Sequence, residues 1–298
     1  MSQLSRMELQ SLLYHPNFKA LLTELENSLQ NPISPTQAKV LKEYIYLRGF
    51  WDFRFFVETF FPHHCGHPFS RMHEDFFAAE ADPLKRGRRE AVAAPRGYAK
   101  TTFKVLFKCL HAIVYGYETF ILIVGHSAPE AEGKVRDILE ELQHNSLLKD
   151  IYGNLAPKAG QAGCSQKDFV TRNQVRVMAK SKGKQVRGLK KGAHRPTLII
   201  LDDIEAPDKV IKETQRYKTQ QWLEKDILKL GNVDGRANIT LIGTCLHPEA
   251  LLPTLLRSPG WRGVKYQAIL SFATNQALWQ QWKAIYTDLA NPNREQDA

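Results

Sequence analysis

Apolar positions recur at two spacings along the chain, and each spacing predicts a kind of element. From Met7 to about Ala79, leucine and phenylalanine recur every three to four residues, which is typical of amphipathic helices. From residue 91 onward, helical stretches alternate with short runs of consecutive apolar residues, as in strands buried on both faces of a parallel sheet. The pattern therefore predicts an α/β fold in which helices flank a mostly parallel central sheet, behind an N-terminal helical region.

The ends of these runs give the expected bounds of each element. Strands are predicted at 91–94, 119–125, 198–201, 237–244 and 264–269, and a hairpin or meander at 169–178. Helices are predicted at 103–113, 127–142, 146–152, 207–230 and 247–256. The long helix 207–230 should bury Val210, Ile211, Tyr217, Trp222 and Ile227. A last helical face should pack on another element; it holds Leu278, Trp279, Trp282, Ile285, Tyr286 and Leu289.

The loop after the first strand has the residue types of a phosphate-binding loop. It reads Ala94, Pro95, Arg96, Gly97, Tyr98, Ala99, Lys100, Thr101 and Thr102, and a helix follows. Such a loop directs backbone N–H groups at an anion, with a lysine for the β- and γ-phosphates and a hydroxyl for Mg²⁺. Lys100 and Thr101 suit those two roles. Alanine replaces both usual glycines, so Gly97 is the residue expected at positive φ, and a turn with a solvated lysine is the alternative.

Adjacent carboxylates follow another buried strand. Asp202, Asp203 and Glu205 come directly after the apolar run 198–201, at the strand end where open α/β sheets bind ligands. Neighbouring carboxylates repel each other and resist burial, and a bound cation would offset that cost. Asp202 is the expected Mg²⁺ ligand, and either Asp203 or Glu205 the acid that activates water. A strand that simply ends in a polar turn is the alternative.

Two clusters upstream of the loop also invite a chemical interpretation. Phe69 and His73 could stack on an adenine ring, although the segment suits a plain helix start equally well. The histidines around Cys65 invite a metal interpretation, namely His63, His64, His67 and His73. Interspersed proline and glycine argue against a helix that would align them, and no second cluster supplies further ligands. A metal site is therefore not expected there.

The charge and cysteine content narrow the partners and the compartment. A net charge of +10 favours a polyanionic partner, with nucleic acid first and an anionic membrane surface second. The most basic stretch, residues 180–195, suits either a DNA contact or a solvated loop. The four cysteines are scattered, which fits a reducing compartment. No apolar run approaches the ~20 residues that span a bilayer, so a soluble, intracellular protein is expected. With nucleic acid preferred, no membrane is predicted among the partners.

Four segments resemble the ATPase part of viral DNA-packaging terminase large subunits: the loop, the acidic strand, Gln185–Gly188 and Ile239–Thr244. The resemblance covers roughly residues 50–270. The resemblance implies a RecA-like P-loop ATPase of the additional-strand class, with ATP and Mg²⁺ as cofactors. It also implies a homo-oligomeric ring that moves double-stranded DNA through a viral portal, assisted by a small terminase subunit. The expected location is then the host cell cytoplasm and not the mature virion.

The same resemblance assigns roles to further residues. Arg96 would sense the γ-phosphate within its own subunit, and Arg187 would be an arginine finger offered to a neighbour's nucleotide. Thr244 falls in the coupling motif, although a plain strand-end threonine is equally compatible with the sequence. Asp203 stands where the family often has glutamate, so Asp203 and Glu205 both stay candidates for the catalytic acid.

The expected organisation has three parts: a helical region at 1–85 leading to the adenine-side loop, an ATPase core at 86–270 and a lid or linker helix at 271–298. Terminase large subunits usually carry a C-terminal nuclease, and we expect none in this chain. Two other functions compete with a packaging ATPase. A nucleotide-gated DNA-binding module would bind ATP without turnover, and a helicase-like ATPase would need a second motor domain, for which the segment before Val92 lacks a strand pattern.

Overall fold

A computed structural model describes residues 35–158, 165–184, 186, 188–190, 192, 194–231 and 235–297. The chain divides after Tyr266 into two compact units. The first unit is built on a seven-stranded sheet in the order β3-β4-β2-β5-β6-β1-β7, in which only β3 runs antiparallel to its neighbour. The strands are β1 (Arg89–Ala93), β2 (Phe120–Gly125), β3 (Asp168–Val170), β4 (Arg176–Ser181), β5 (Leu198–Asp202), β6 (Asn238–Gly243) and β7 (Arg262–Lys265). The mixed α/β class and the mostly parallel sheet are confirmed.

Helices cover the sheet and follow the predicted alternation. Those before the sheet are α1 (Pro35–Trp51), α2 (Phe53–Phe60), a 3₁₀ turn (Pro62–His64) and α3 (Arg71–Ala79). Within the first unit they continue as a π-helical segment (Thr102–Phe107), α4 (Lys108–Tyr115), α5 (Ala128–His144), α6 (Ser146–Tyr152), α7 (Pro207–Val210), α8 (Glu213–Trp222), a second π-helical segment (Leu223–Ile227) and α9 (Leu251–Leu256). The second unit holds α10 (Gln276–Thr287) and α11 (Arg294–Asp297). Among the described residues, no helix combines the length and apolarity needed to cross a bilayer.

Both faces of the sheet are buried, as its continuous apolar strands predict. Along β2, Ile121 and Ile123 join the core on one face, whereas Leu122 and Val124 join the core on the other. The first core includes residues of α1–α6, and the second includes residues of the π-helical segment 223–227 and α9. Because side chains alternate along a strand, a strand without polar positions needs cover on both sides. The two layers of helices supply that cover.

The aromatic stretch near residues 50–61 packs as core. Phe50, Phe56 and Tyr115 are at most 4% exposed and surround the ring of His111, whose centroid lies 4.8 Å from that of Phe56. His111 Nε2 donates to the Gly49 carbonyl at 2.9 Å, and its Nδ1 accepts from the Tyr117 hydroxyl at the same distance. This neutral histidine therefore ties α4 to the C-terminal end of α1.

A buried ionic cluster anchors the helical segments that follow the loop. Lys104 Nζ lies 2.9 Å from Glu80 Oε1 and 3.4 Å from Glu90 Oε2, and Lys108 Nζ lies 3.0 Å from Glu80 Oε1. Burial alone would raise the pKa of Glu80, but Lys104, Lys108 and Arg88 together lower that pKa well below its usual value. The cluster joins the end of α3 and strand β1 to the helical segments after the loop.

The single helix predicted for 207–230 is wrong. The chain leaves helical geometry at Lys212 (φ −80°, ψ 120°), which separates α7 from α8. The guanidinium of Arg216 donates to the carbonyls of Val210 and Ile211 at 3.1 and 2.8 Å, so it satisfies acceptors at the end of α7. Ile211 and Tyr217, two of the predicted core positions, are 71% and 62% exposed.

The predicted helix 247–256 and strand 264–269 need correction at their ends. The helix begins only at Leu251, because the Glu205 carboxylate accepts from the N–H groups of Leu251 and Leu252 and caps it there. Strand β7 ends at Lys265, opposite the last residue of β1, Ala93. Among the described strands β7 pairs with β1 alone, so its ladder cannot continue beyond the end of β1.

The packing predicted for the C-terminal helical face is wrong within the second unit. Leu278, Ile285 and Leu289 are exposed there. The aromatic side chains instead stack on each other along α10, with Trp282 centred 4.8 Å from Trp279 and 4.9 Å from Tyr286. Residues three and four apart lie on the same side of a helix, so this stacking covers part of the apolar surface of α10.

We predict that His111 makes the fold sensitive to acid. Burial lowers the pKa of His111 to about 4, whereas an unfolded histidine titrates near about 6.5. The unfolded chain therefore takes up this proton first, and the free energy of unfolding should fall by up to about 3 kcal/mol as pH drops from about 6.5 to about 4. Urea unfolding across this range should show a shallower pH dependence in His111→Gln than in wild type. An exposed control, His67→Gln, should keep the wild-type slope, and equal slopes in all three proteins would contradict the prediction.

Candidate functional site

The loop at 94–102 leaves β1 and enters the following helix through two left-handed residues. Gly97 has φ +80°, as predicted, but Ala99 also has a positive φ of 51°. The expectation that Gly97 alone would adopt this conformation is wrong, because the loop turns a second time just before Lys100. An alanine at positive φ costs about 1–2 kcal/mol, and such strain is frequent at functional sites. Ala94 and Lys100 are buried, Pro95, Thr101 and Thr102 are half-buried, and Arg96, Gly97, Tyr98 and Ala99 are exposed.

The loop and the acidic strand meet at one edge of the sheet. Thr101 Oγ1 donates to Asp202 Oδ2 at 3.0 Å, although the two residues are 101 positions apart in sequence. Lys100 Nζ lies 3.7 Å from Asp203 Oδ2, and Lys100 is only 6% exposed. The four residues predicted to share a triphosphate and its metal ion are therefore adjacent.

Asp202 is buried and only partly satisfied. Lys134 Nζ from α5 lies 2.8 Å from Asp202 Oδ2, whereas Oδ1 is buried without a hydrogen-bond partner among the described residues. Burial raises the pKa of Asp202, and the ammonium of Lys134 opposes that rise. A carboxylate oxygen of this kind, next to the hydroxyl of Thr101, fits a hard divalent cation such as Mg²⁺. The residues present therefore suit the metal that the sequence predicts.

Lys134 is the site residue that sequence reasoning missed. It lies inside a helix that was predicted correctly, at 127–142, but nothing in its neighbours distinguishes it from a solvated lysine. The sheet order places Lys134 beside Asp202. Helix α5 follows β2, and β2 pairs directly with β5, whose last residue is Asp202. Its side chain is 17% exposed.

The two candidate acids differ in what already engages them. The Glu205 carboxylate accepts from the N–H groups of Leu251 and Leu252 at 3.0 and 3.4 Å, as described for the start of α9. The Asp203 side chain is 48% exposed and faces Lys100. Asp203 also has a positive φ of 47°, which turns the chain away from β5 at this residue. Asp203 is therefore open to a ligand, and Glu205 is occupied by a helix terminus.

Two other predicted residues contact the loop, and a third, Arg96, belongs to it. Thr244, just after β6, donates from Oγ1 to the Ala94 carbonyl at 3.4 Å. His73 donates from Nε2 to the Tyr98 carbonyl at 3.1 Å, and burial lowers its pKa. Arg96 is exposed and has no hydrogen bond or ion pair within the described part of the chain.

Phe69 and His73, the predicted adenine-stacking pair, already have aromatic partners. The His73 ring stacks on Phe103, with centroids 4.6 Å apart, and Phe69 makes an edge contact with Phe103 at 5.8 Å. The Nδ1 atom of His73 accepts from the Ser70 N–H, which completes the start of α3. Both residues therefore support the helical segment behind the loop.

The basic stretch 180–195 is described only in part, and the predicted finger Arg187 lies outside the described residues. Lys182 is not a solvated lysine. Its Nζ donates to Thr219 Oγ1 at 2.6 Å, and burial lowers its pKa. It lines a cleft of about 240 Å³ together with His126, Glu205, Lys209, Arg216 and Trp222.

We predict opposite effects of glycine at the two loop alanines. Ala99→Gly should raise the free energy of unfolding by up to about 1 kcal/mol, because glycine adopts the positive φ of this position without strain. Part of that gain is offset, since glycine makes the unfolded chain more flexible. Ala94→Gly, where φ is not positive, should lower it by about 0.5–1 kcal/mol. Chemical denaturation of both variants beside wild type measures the difference. Equal destabilisation by both substitutions would show that Ala99 is unstrained.

The comparisons with known proteins find similarity only among solved structures. No family model matches the chain, and no curated protein matches it. Among solved structures, the crystal structure of the HK97 bacteriophage large terminase is similar, with 16% identity and a TM-score of 0.48. The match covers 77% of this chain and 46% of the HK97 protein, so the chain spans about half the length of that terminase.

Proposed function

We propose that this chain hydrolyses ATP with Mg²⁺ at the site formed by the loop 94–102 and the end of β5. The observation that carries the proposal is the 3.0 Å hydrogen bond between Thr101 and the buried Asp202. It joins the hydroxyl expected at a magnesium ion to the carboxylate expected at the same ion. A plain turn with a solvated lysine does not account for it, because Lys100 is buried beside a second carboxylate.

Each residue of the site has a task that its contacts support. Lys100 holds its ammonium at the rim of the loop, where it can neutralise phosphate oxygens in exchange for Asp203. Mg²⁺, when bound, would neutralise charge on the β- and γ-phosphates. Thr101 and Asp202 are the residues that would hold it. Backbone N–H groups at the start of the following helix add partial positive charge.

Asp203 is the proposed base that orients the attacking water, and Glu205 is the proposed helix cap. Their contacts support this proposal: Asp203 is half-exposed toward Lys100, whereas Glu205 accepts from two backbone N–H groups of α9. Arg96, exposed on the loop, is the proposed γ-phosphate sensor. Thr244 is the proposed coupling residue, since it contacts the loop from the end of β6. Adenine stacking by Phe69 and His73 stays a prediction.

We propose that hydrolysis moves double-stranded DNA, as in the packaging motors that the motifs resemble. The net charge of +10 suits a polyanionic partner. Strand β6 lies between β1 and β5, which is the arrangement expected of a RecA-like ATPase of the additional-strand class. From the same resemblance we propose a homo-oligomeric ring in which Arg187 acts between subunits. A viral portal and a small terminase subunit are the proposed partners, and the host cytoplasm is the proposed location.

We predict that phosphate release depends on the loop lysine and the strand-end acid. Lys100→Ala and Asp202→Ala should each lower Mg²⁺-dependent phosphate release at least about 100-fold, because the first removes a cation beside the phosphates and the second removes a proposed Mg²⁺ ligand. Lys225→Ala, at an exposed lysine of the segment 223–227, is the matched control and should keep wild-type activity. The assay should include double-stranded DNA and chain concentrations that permit assembly.

The same assay separates the proposed function from its rivals. Equal phosphate release from wild type, Lys100→Ala and Asp202→Ala would end the hydrolase proposal. Lys100-dependent ATP binding without any phosphate release, in the presence of DNA and at assembling concentrations, would favour a nucleotide-gated DNA-binding module. Strand separation by the purified chain would favour a helicase.

We predict that the two candidate acids separate into a catalytic and a structural role. Asp203→Asn should lower turnover at least about 100-fold while the protein still binds ATP, because a general base contributes about 10²–10⁴-fold. Glu205→Gln should keep turnover within about twofold and lower the free energy of unfolding by about 0.5 kcal/mol, because the carboxylate charge at the start of α9 is lost. Turnover and denaturant unfolding of both isosteric variants test the assignment. The reverse result would make Glu205 the base.

A further inference from the structure

Beside this site, two histidines and a glutamate converge from distant parts of the chain, and His64 and Glu141 line a cleft that Thr101 and Lys134 also line. His63 Nε2 lies 2.8 Å from Glu141 Oε1, and His64 Nε2 lies 3.5 Å from the same oxygen. All three potential ligand atoms lie within 4.8 Å of one another. The sequence argued against a metal site here because no second group of ligands was visible, and Glu141 of α5 now supplies it.

Local structure explains why these side chains meet. The 3₁₀ turn Pro62–His64 directs two consecutive imidazoles to the same side, with ring centroids 4.5 Å apart. Asn145 fixes the orientation of the Glu141 carboxylate. Its side-chain amide donates to Glu141 Oε2 at 3.0 Å and to the Phe60 carbonyl at 2.7 Å. That bond leaves Oε1 facing both histidines. A carboxylate fixed by an outer hydrogen bond is a frequent feature of metal ligands.

The spacing suits a tetrahedral transition-metal ion. With bonds of about 2.0–2.1 Å to imidazole nitrogen and carboxylate oxygen, tetrahedral ligand atoms lie about 3.3 Å apart. The two distances to Glu141 Oε1, 2.8 and 3.5 Å, lie on either side of that value. We propose that His63, His64 and Glu141 bind a Zn²⁺-class ion that clamps the turn 62–64 to α5.

The surroundings leave room for a fourth ligand. The two ligands His63 and Glu141 border an open cleft of about 530 Å³, which Glu140 and His144 also line. Water or one of these side chains can complete the coordination. Glu141 lies two helical turns after Lys134 and so shares its side of α5. The clamp would therefore fix the helix that supplies a cation to Asp202.

Zinc titration of the purified full chain tests the proposal. Calorimetry should show that wild type binds one more Zn²⁺ ion per chain than His63→Gln, His64→Gln or Glu141→Gln. A large excess of Mg²⁺ in the solution fills sites that are made only of carboxylates. His67→Gln removes an exposed histidine outside the cluster and should bind as wild type does. Zinc should raise the melting temperature of wild type and His67→Gln, but not that of the three cluster variants.

Cobalt substitution identifies the ligands independently. The Co²⁺ absorption of wild type should show d–d bands of a nitrogen and oxygen site and no thiolate charge-transfer band, and Glu141→Gln should lose those bands. Circular dichroism of each variant without metal should match wild type, so that lost binding does not reflect lost folding. Equal zinc binding by wild type and all three cluster variants would overturn the proposal, as would a thiolate band from neighbouring Cys65.

Discussion

The carboxylate of Asp202 is the constraint on which the candidate site depends. It is fully buried at the end of a central strand, and burying an isolated charge there would be prohibitive. The structure offsets the cost with a hydroxyl from the loop and an ammonium from α5, each from an element that the sheet order places beside β5. Loop, strand and helix are thus held together by a single side chain.

Strand order explains how the loop reaches that carboxylate. Strand β6 separates β1 from β5, so the two strands lie about 10 Å apart. The loop must cross over the end of β6 before Thr101 can meet Asp202. Two positive-φ residues turn it in that direction, and Thr244 at the end of β6 contacts the loop as it passes. The strained Ala99 is therefore part of the path that brings Thr101 into place.

The sequence predicted those parts of the fold and of the candidate site that follow from a single physical rule. Uninterrupted apolar runs marked β2 and β5 because both faces of the sheet are covered, and the loop was visible from its residue types. Contacts between distant elements were beyond such rules. Lys134 looks like any helical surface lysine until the pairing of β2 with β5 is known. Glu141 likewise lies 78 residues from His63, and no local pattern connects them.

The ionic cluster of Glu80, Glu90, Lys104 and Lys108 limits how this protein can change over evolutionary time. Loss of Glu80 would remove the carboxylate that pairs with the buried Lys108, at a cost of about 3–5 kcal/mol, whereas an apolar replacement of the whole set can be neutral. Arg88 and Arg262 also pair with Glu80 and Glu90, so loss of one lysine leaves each carboxylate with another cation. Relatives should therefore lose a lysine of the cluster more readily than Glu80.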